Sequence, residues 1–138
     1  MFESWSGEWT LDREISPGFH FEGTATFEVL TESAYLLRES GLLQRADSPP
    51  MNAARSWHWE VSDENQLKIS YDENPPRLYH ALNLQFVEAR RTWVGQDLHL
   101  CEPDEYDGDY ILGEKKLESI QTVSGPNKAY RVHSIFQR

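Results

Sequence analysis

Residues 19–29 decide the fold: they read FHFEGTATFEV and alternate between apolar or small side chains and polar ones. Phe19, Phe21 and Phe27 share one parity with the small residues between them, whereas histidine, glutamate and threonine occupy the other parity. Because successive side chains of a β-strand point to opposite faces, this alternation predicts a strand with one buried face.

The same pattern extends along the chain in both directions. Trp9, Leu11 and Ile15 share a parity in a first strand, and turn residues then recur at short, regular spacing. Further strands are predicted at Tyr35–Gln44, Met51–Val61, Gln66–Tyr71, Arg77–Leu82, Asp97–Cys101, Tyr106–Leu112, Leu117–Val123 and Ala129–Gln137. The one stretch that permits a helical turn is Leu84–Val94.

These strands predict an all-β chain with a single domain over residues 1–138. A two-sheet sandwich is one arrangement of about ten antiparallel strands. We favour an up-and-down antiparallel β-barrel, because closure of the sheet removes its exposed edges and the connections are of hairpin length.

Charge and cysteine content restrict the partners and the compartment. The 138 residues carry a formal net charge of −10, and such a field repels phosphate backbones and anionic headgroups. We therefore expect no nucleic-acid or membrane partner. The single cysteine, Cys101, cannot form an internal disulfide, and the N-terminal residues do not resemble a signal peptide. These features favour a cytoplasmic protein, as a monomer or small homo-oligomer.

The two ends of the chain resemble those of the calycin (lipocalin-like) barrels. Gly7-Glu8-Trp9 resembles the G-x-W motif of the first lipocalin strand, and Arg138 resembles the arginine that packs over that tryptophan. A wider similarity is to the domain-of-unknown-function 6314 family. Its matching stretches include WTLDREI (9–15), FEGTATF (21–27), HLCEPDEY (99–106), GPNKAY (125–130) and SIFQR (134–138). The resemblance implies a calycin-like fold closed by Trp9 and Arg138, and it implies no activity.

Three charged residues share the parity of apolar neighbours and are therefore predicted to point inward: Arg13, Glu39 and Arg55. An unpaired charge inside a barrel costs several kcal/mol of desolvation. One alternative is an internal ion pair, for example between Arg13 and Glu39. The other is an arginine held for a carboxylate or phosphate ligand, which the planar guanidinium binds in bidentate fashion.

A second polar group lies on later strands. His99 and Cys101 share a face of one strand, Asp104 and Tyr106 follow directly, and His80 comes from another strand. These residues can line a pocket or act in acid–base catalysis. The alternatives are interior imidazoles bonded to tyrosine or aspartate, and a cysteine that acts as a small buried hydrophobe. The spacing matches no C-x-x-C or H-E-x-x-H motif, so we predict no metal site.

We therefore predict a barrel that binds a small, partly apolar, anionic ligand. The predicted ligand-binding residues are Arg13, Glu39, Arg55, Trp57, Tyr71, His80, His99, Cys101, Tyr106, Tyr110 and Ser134. The sequence specifies no cofactor. Haem, with His80 or His99 as axial ligand, is one version of this hypothesis.

Two other functions are compatible with the same sequence. The first is a small barrel enzyme of isomerase, cyclase or hydrolase type, with His80, His99, Asp104 and Tyr106 as general acids and bases. The second is a packed barrel that acts as a protein-interaction subunit through exposed Trp5 and Trp93.

Overall fold

The computed structural model describes residues 5–138, and its eleven strands form one antiparallel sheet. The strands are β1 (Gly7–Ser16), β2 (Phe19–Thr31), β3 (Ala34–Arg45), β4 (Ser48–Val61), β5 (Gln66–Tyr71), β6 (Arg77–Asn83), β7 (Gln85–Val87), β8 (Thr92–Cys101), β9 (Asp104–Leu112), β10 (Lys116–Gly125) and β11 (Lys128–Gln137). The predicted antiparallel barrel is confirmed, with eleven strands where the sequence pattern indicated about ten.

The pairing of the first and last strands joins the two halves of the chain into one nearly closed barrel. β1 bonds to β11 as well as to β2, so the spatial order runs from β6 back to β1 and on through β11 to β7. One seam remains, where β6 lies against β8 without a ladder of backbone hydrogen bonds. There the carboxylate of Asp97 accepts a hydrogen bond from the backbone N–H of Ala81, at 2.7 Å. Side chains thus complete the closure that backbone pairing leaves open.

The predicted helical turn within Leu84–Val94 contains more structure than the pattern indicated. It holds the three-residue strand β7, a 3-10 turn at Glu88–Arg90 and the start of β8. A strand of three residues is too short to show a period of two, so the alternation could not reveal β7. No helix within residues 5–138 has the length and apolar character needed to cross a membrane.

Aromatic rings fill one end of the barrel, which we call the plug: Trp5, Trp9, Phe27, Tyr35 and Trp59. All five are buried. The rings of Phe27 and Trp59 meet edge to face at 5.1 Å and 78°, and those of Trp5 and Trp59 at 5.8 Å and 89°. Aromatic pairs prefer this geometry, so the plug is a packed core that limits the interior space to the other end.

Arg138 covers the plug from outside. Its guanidinium carbon lies 4.3 Å from the ring centroid of Trp9, and its NH2 group donates to the carbonyl oxygen of Glu114 at 2.8 Å. The cation therefore ties the C-terminus to the β9–β10 connection while it stacks on the indole.

The expectation that Trp5 is exposed is wrong. Its side chain is 2% exposed, and its indole N–H donates to the carbonyl oxygen of Gly113 at 3.2 Å. Trp93 is half-buried, with its ring 5.2 Å from that of Phe86. Trp5 precedes β1, where no alternation could indicate that the chain folds back under the barrel.

Candidate functional site

The end of the barrel away from the plug contains a cavity of about 570 Å³. Small-molecule sites in proteins commonly span roughly 300–1,000 Å³. The cavity is lined by Arg13, Ile15, Leu37, Glu39, Arg55, Trp57, Trp59, Ile69, Tyr71, Arg77, Tyr79, Tyr106, Tyr110, Leu112, Leu117, Glu118, Ser119, Gln121, Lys128, Tyr130, Val132 and Phe136. The barrel thus has room for a small molecule beside a mixed aromatic and charged wall.

One wall of the cavity is a continuous aromatic surface, which we call the aromatic wall: Trp57, Tyr71, Tyr79 and Tyr106. The ring of Trp57 lies 5.0 Å from that of Tyr71 and 5.3 Å from that of Tyr79. Tyr106 continues the surface at 5.7 Å from Tyr79. Such rings offer flat apolar area with hydroxyl groups at the edges, which suits a ligand that also has a flat apolar part.

Cations cover three of these four rings. The guanidinium carbon of Arg55 lies 5.2 Å from the ring centroid of Trp57. That of Arg77 lies 4.1 Å from the centroid of Tyr71. The ammonium of Lys128 lies 5.7 Å from the ring of Tyr106. These distances are typical of cation–π interactions, so positively charged groups lie against three rings of the aromatic wall.

Two of the three cations have acidic partners. Arg77 pairs with Glu73 at 2.9 Å, and Lys128 pairs with Asp104 at 3.2 Å. The hydrogen bond to Glu73 raises the pKa of Arg77, and bonds to the Tyr106 hydroxyl and to Asp104 raise the pKa of Lys128. Arg55 differs: among residues 5–138, no carboxylate oxygen lies within 4.0 Å of its guanidinium. Its charge is therefore available to a bound anion.

Arg13 is already paired inside the barrel. Its two terminal nitrogens donate to the two carboxylate oxygens of Glu39 at 2.9 and 2.8 Å, and its Nε donates to the hydroxyl of Ser134 at 2.7 Å. Burial alone would lower the pKa of Arg13, but the Glu39 carboxylate outweighs that effect and raises it. The structure thus realises the ion-pair alternative for Arg13, and three of the five guanidinium N–H groups are occupied.

The lining carries more positive than negative charge. It includes four cations, Arg13, Arg55, Arg77 and Lys128, and two carboxylates, Glu39 and Glu118. The carboxylate of Glu118 also bonds to His133 on the neighbouring strand. Glu73 and Asp104, which pair with Arg77 and Lys128, balance the two extra positive charges, so among the described residues Arg55 is the lining cation without a carboxylate oxygen within 4.0 Å.

A chain of hydrogen bonds lies behind the aromatic wall. It runs from the Tyr79 hydroxyl through Gln121 and the Tyr110 hydroxyl to the ring of His80. Burial lowers the pKa of His80, so the imidazole is neutral, and burial raises the pKa of Tyr79 and of Tyr110, so both phenols keep their protons. The side chains of this part of the site are therefore uncharged.

A family model described as "Family of unknown function (DUF6314)" matches residues 5–138. The chain belongs to this family. A search of curated proteins finds no match.

Solved structures share the barrel fold with this DUF6314 member at low identity. The S-type phycobiliprotein lyase CPES from Guillardia theta has a TM-score of 0.62 and 11% identity, covering 99% of this chain and 89% of that one. EF1p2_mFAP2b bound to DFHBI has a TM-score of 0.56 and 12% identity, with 99% and 95% covered. The redesigned β-barrel mFAP1 bound to DFHBI has a TM-score of 0.53 and 10% identity, with 99% and 96% covered. At these identities the likeness shows the fold alone.

Most of the predicted ligand-binding residues of this DUF6314 member lie on the cavity. Those that line it are Arg13, Glu39, Arg55, Trp57, Tyr71, Tyr106 and Tyr110. Ser134 is buried behind Arg13 and holds its Nε. His80, His99 and Cys101 lie off the lining.

His80, His99 and Cys101 have different environments. His80 is fully buried at the seam, with both ring nitrogens bonded. His99 is half-buried, with its ring 6.5 Å from that of Tyr79. Cys101 is exposed where β8 turns into β9, so the alternative that it is a buried hydrophobe is wrong. Of the four predicted acid–base residues, only Tyr106 lines the cavity, and Asp104 is held by Lys128.

Sequence reasoning missed Tyr79 because a β-bulge carries it. Ile69 pairs with His80 and Ser70 pairs with Leu78, so Tyr79 is the extra residue on β6. A bulge re-aims side chains, and here Tyr79 and its neighbour are both buried although strict alternation puts them on opposite faces. The alternation of the sequence contains no signal for this irregularity.

Proposed function

We propose that this barrel binds a small, partly aromatic molecule that carries an anionic group. The rings of the ligand lie against the aromatic wall, and its anionic group meets Arg55. The observation that carries the proposal is the placement of Arg55: it stands over Trp57 on the cavity, without a carboxylate within 4.0 Å among the described residues.

The comparisons support the capacity of the fold. mFAP1 and EF1p2_mFAP2b were solved bound to DFHBI, so barrels of this shape hold a ligand. The anionic character of the proposed ligand is inferred from the cavity lining of this chain. A guanidinium group such as that of Arg55 binds carboxylate, sulfonate and phosphate oxygens through several N–H donors at once.

A pair of probes that differ in charge tests the proposal. Anilinonaphthalene sulfonate is an aromatic anion, and N-phenylnaphthylamine has the same ring system without the sulfonate. We expect one molecule of the sulfonate to bind per barrel. We expect Arg55→Gln to weaken the binding of the sulfonate roughly 10-fold or more, because the variant loses a hydrogen bond to a charged group. The neutral probe should bind both proteins equally. Isothermal titration calorimetry gives both affinities and the stoichiometry.

Arg38→Gln is the matched control, since Arg38 pairs with Glu28 on the exposed outer surface. It removes one positive charge from the chain without touching the cavity. If Arg38→Gln weakened the sulfonate as much as Arg55→Gln, the effect would come from overall charge and the proposed site would be wrong.

A further inference from the structure

Four side chains from three strands form a single chain of hydrogen bonds. The Tyr79 hydroxyl lies 2.9 Å from Oε1 of Gln121, whose Nε2 lies 3.2 Å from the Tyr110 hydroxyl. That hydroxyl lies 2.7 Å from Nδ1 of His80, and Nε2 of His80 lies 2.9 Å from the carbonyl oxygen of Tyr106. The far end of the chain is therefore a backbone carbonyl, which only accepts hydrogen bonds.

That carbonyl fixes the direction of every bond in the chain. The Nε2 of His80 must carry the hydrogen, so in the neutral ring Nδ1 accepts from Tyr110. Tyr110 has then used its only hydrogen, and its oxygen can only accept from the amide nitrogen of Gln121. The amide oxygen consequently faces Tyr79, which donates its own single hydrogen to it.

We infer that Tyr79 presents only a hydrogen-bond acceptor to the cavity, and that the ligand therefore carries an O–H or N–H donor on its aromatic part. This inference rests on the proposed function. The raised pKa of Tyr79 agrees with it, because a phenol that keeps its proton continues to donate to Gln121 and leaves a lone pair for the ligand.

Tyr79 and Arg55 flank the same ring. The Tyr79 centroid lies 5.3 Å from that of Trp57, and the Arg55 guanidinium carbon lies 5.2 Å from it. A flat molecule that lies beside Trp57 in the cavity is thus close to both groups. The ligand class that fits is a hydroxy- or amino-substituted aromatic carboxylate, sulfonate or phosphate.

A hydroxynaphthalene sulfonate and its methyl ether test this specificity, because the ether keeps the anion and the rings but loses the donor. One hydrogen bond is worth about 1 kcal/mol, so we expect the wild-type protein to bind the hydroxy probe roughly 3- to 10-fold more tightly. Tyr79→Phe should abolish the difference and leave the affinity for the ether unchanged. Tyr35→Phe, a buried tyrosine of the plug away from the cavity lining, should keep the difference.

Gln121→Leu tests the direction of the bond while the Tyr79 hydroxyl stays in place. Without Gln121 the hydroxyl is free to donate to the ether oxygen, so the ether should gain affinity and the preference should narrow. A preference that persists in Tyr79→Phe or is unchanged in Gln121→Leu would overturn the inference. Equal binding of the two probes to wild type, with binding still lost in Arg55→Gln, would overturn this inference and leave the proposed function standing. Failure of both probes to bind would overturn both.

Discussion

At the scale of single residues, the ion pair of Arg13 and Glu39 shows how a charged group is accommodated inside the barrel. Glu39 is 3% exposed and receives two hydrogen bonds from the guanidinium, and Ser134 receives a third. Charges removed from water are tolerated when their partners satisfy them, and removal of one partner leaves the other uncompensated. The pair therefore fixes β1 against β3 and β11 beneath the cavity.

Glu39→Gln should destabilise the protein by about 3 kcal/mol, because it leaves the guanidinium of Arg13 without its counter-charge. Urea denaturation measures the free energy of unfolding. Glu28→Gln is the control, since Glu28 pairs with Arg38 on the exposed surface and should cost less than about 1 kcal/mol. Equal losses in the two variants would contradict the description of Arg13–Glu39 as a buried pair.

At the scale of elements, two glycines allow β2 and β3 to approach closely. Gly23 pairs with Gly41, and a Cβ on Gly23 would lie 2.0 Å from the carbonyl oxygen of Ser40. The neighbouring atom is backbone, so it cannot swing aside as a flexible side chain would. Glycine inside a strand commonly marks such a close approach of two backbones.

We expect Gly23→Ala to lower the free energy of unfolding by about 1–3 kcal/mol, because overpacking typically costs this much. Thr24→Ala provides the comparison on the exposed face of the same strand and should change stability by only about 0.5 kcal/mol. Thermal and urea denaturation of both variants measure the difference. A Gly23→Ala protein as stable as wild type would refute the close approach.

The seam between β6 and β8 gives stability a pH dependence through His80. Burial lowers the pKa of His80, whereas in the unfolded chain the ring has the ordinary pKa of about 6.5. The unfolded state therefore binds more protons below that value, and stability is lost as the pH falls from about 6.5 through the lower, folded pKa. His80→Gln should show a smaller fall in the free energy of unfolding between about pH 7.5 and pH 5.

The pKa of His20 is shifted in the opposite direction, so His20→Gln serves as the contrasting variant. Burial lowers its pKa, but hydrogen bonds to Glu14 and Glu22 together outweigh this effect and raise the pKa. The stability due to His20 is present below about pH 6.5 and is lost as the pH rises through its folded pKa. In His20→Gln the free energy of unfolding should therefore fall more steeply as the pH is lowered from about 7.5 to 5. If both variants changed the slope of the free energy of unfolding against pH in the same direction, the lowered pKa assigned to His80 would be wrong.

The sequence predicts the strands well because alternation is a local property. The strand predicted at Gln66–Tyr71 has the bounds of β5, and the parity argument placed Arg13, Glu39 and Arg55 on the cavity. What alternation cannot predict depends on contacts between distant segments. The bulge that carries Tyr79 is one example.

At the scale of the whole molecule, the barrel is divided along its axis. The plug fills one end with aromatic rings, and the cavity at the other end combines the aromatic wall with cations in a chain of formal net charge −10. We propose that this cavity holds a small aromatic anion.

Native mass spectrometry of the protein purified from its own source, compared with the denatured mass, is the decisive experiment for this proposal. We predict a single, reproducible extra mass that disappears on denaturation and is lost or strongly reduced in Arg55→Gln. The bare mass of the polypeptide in the native spectrum, or an extra mass that Arg55→Gln retains in full, would contradict it.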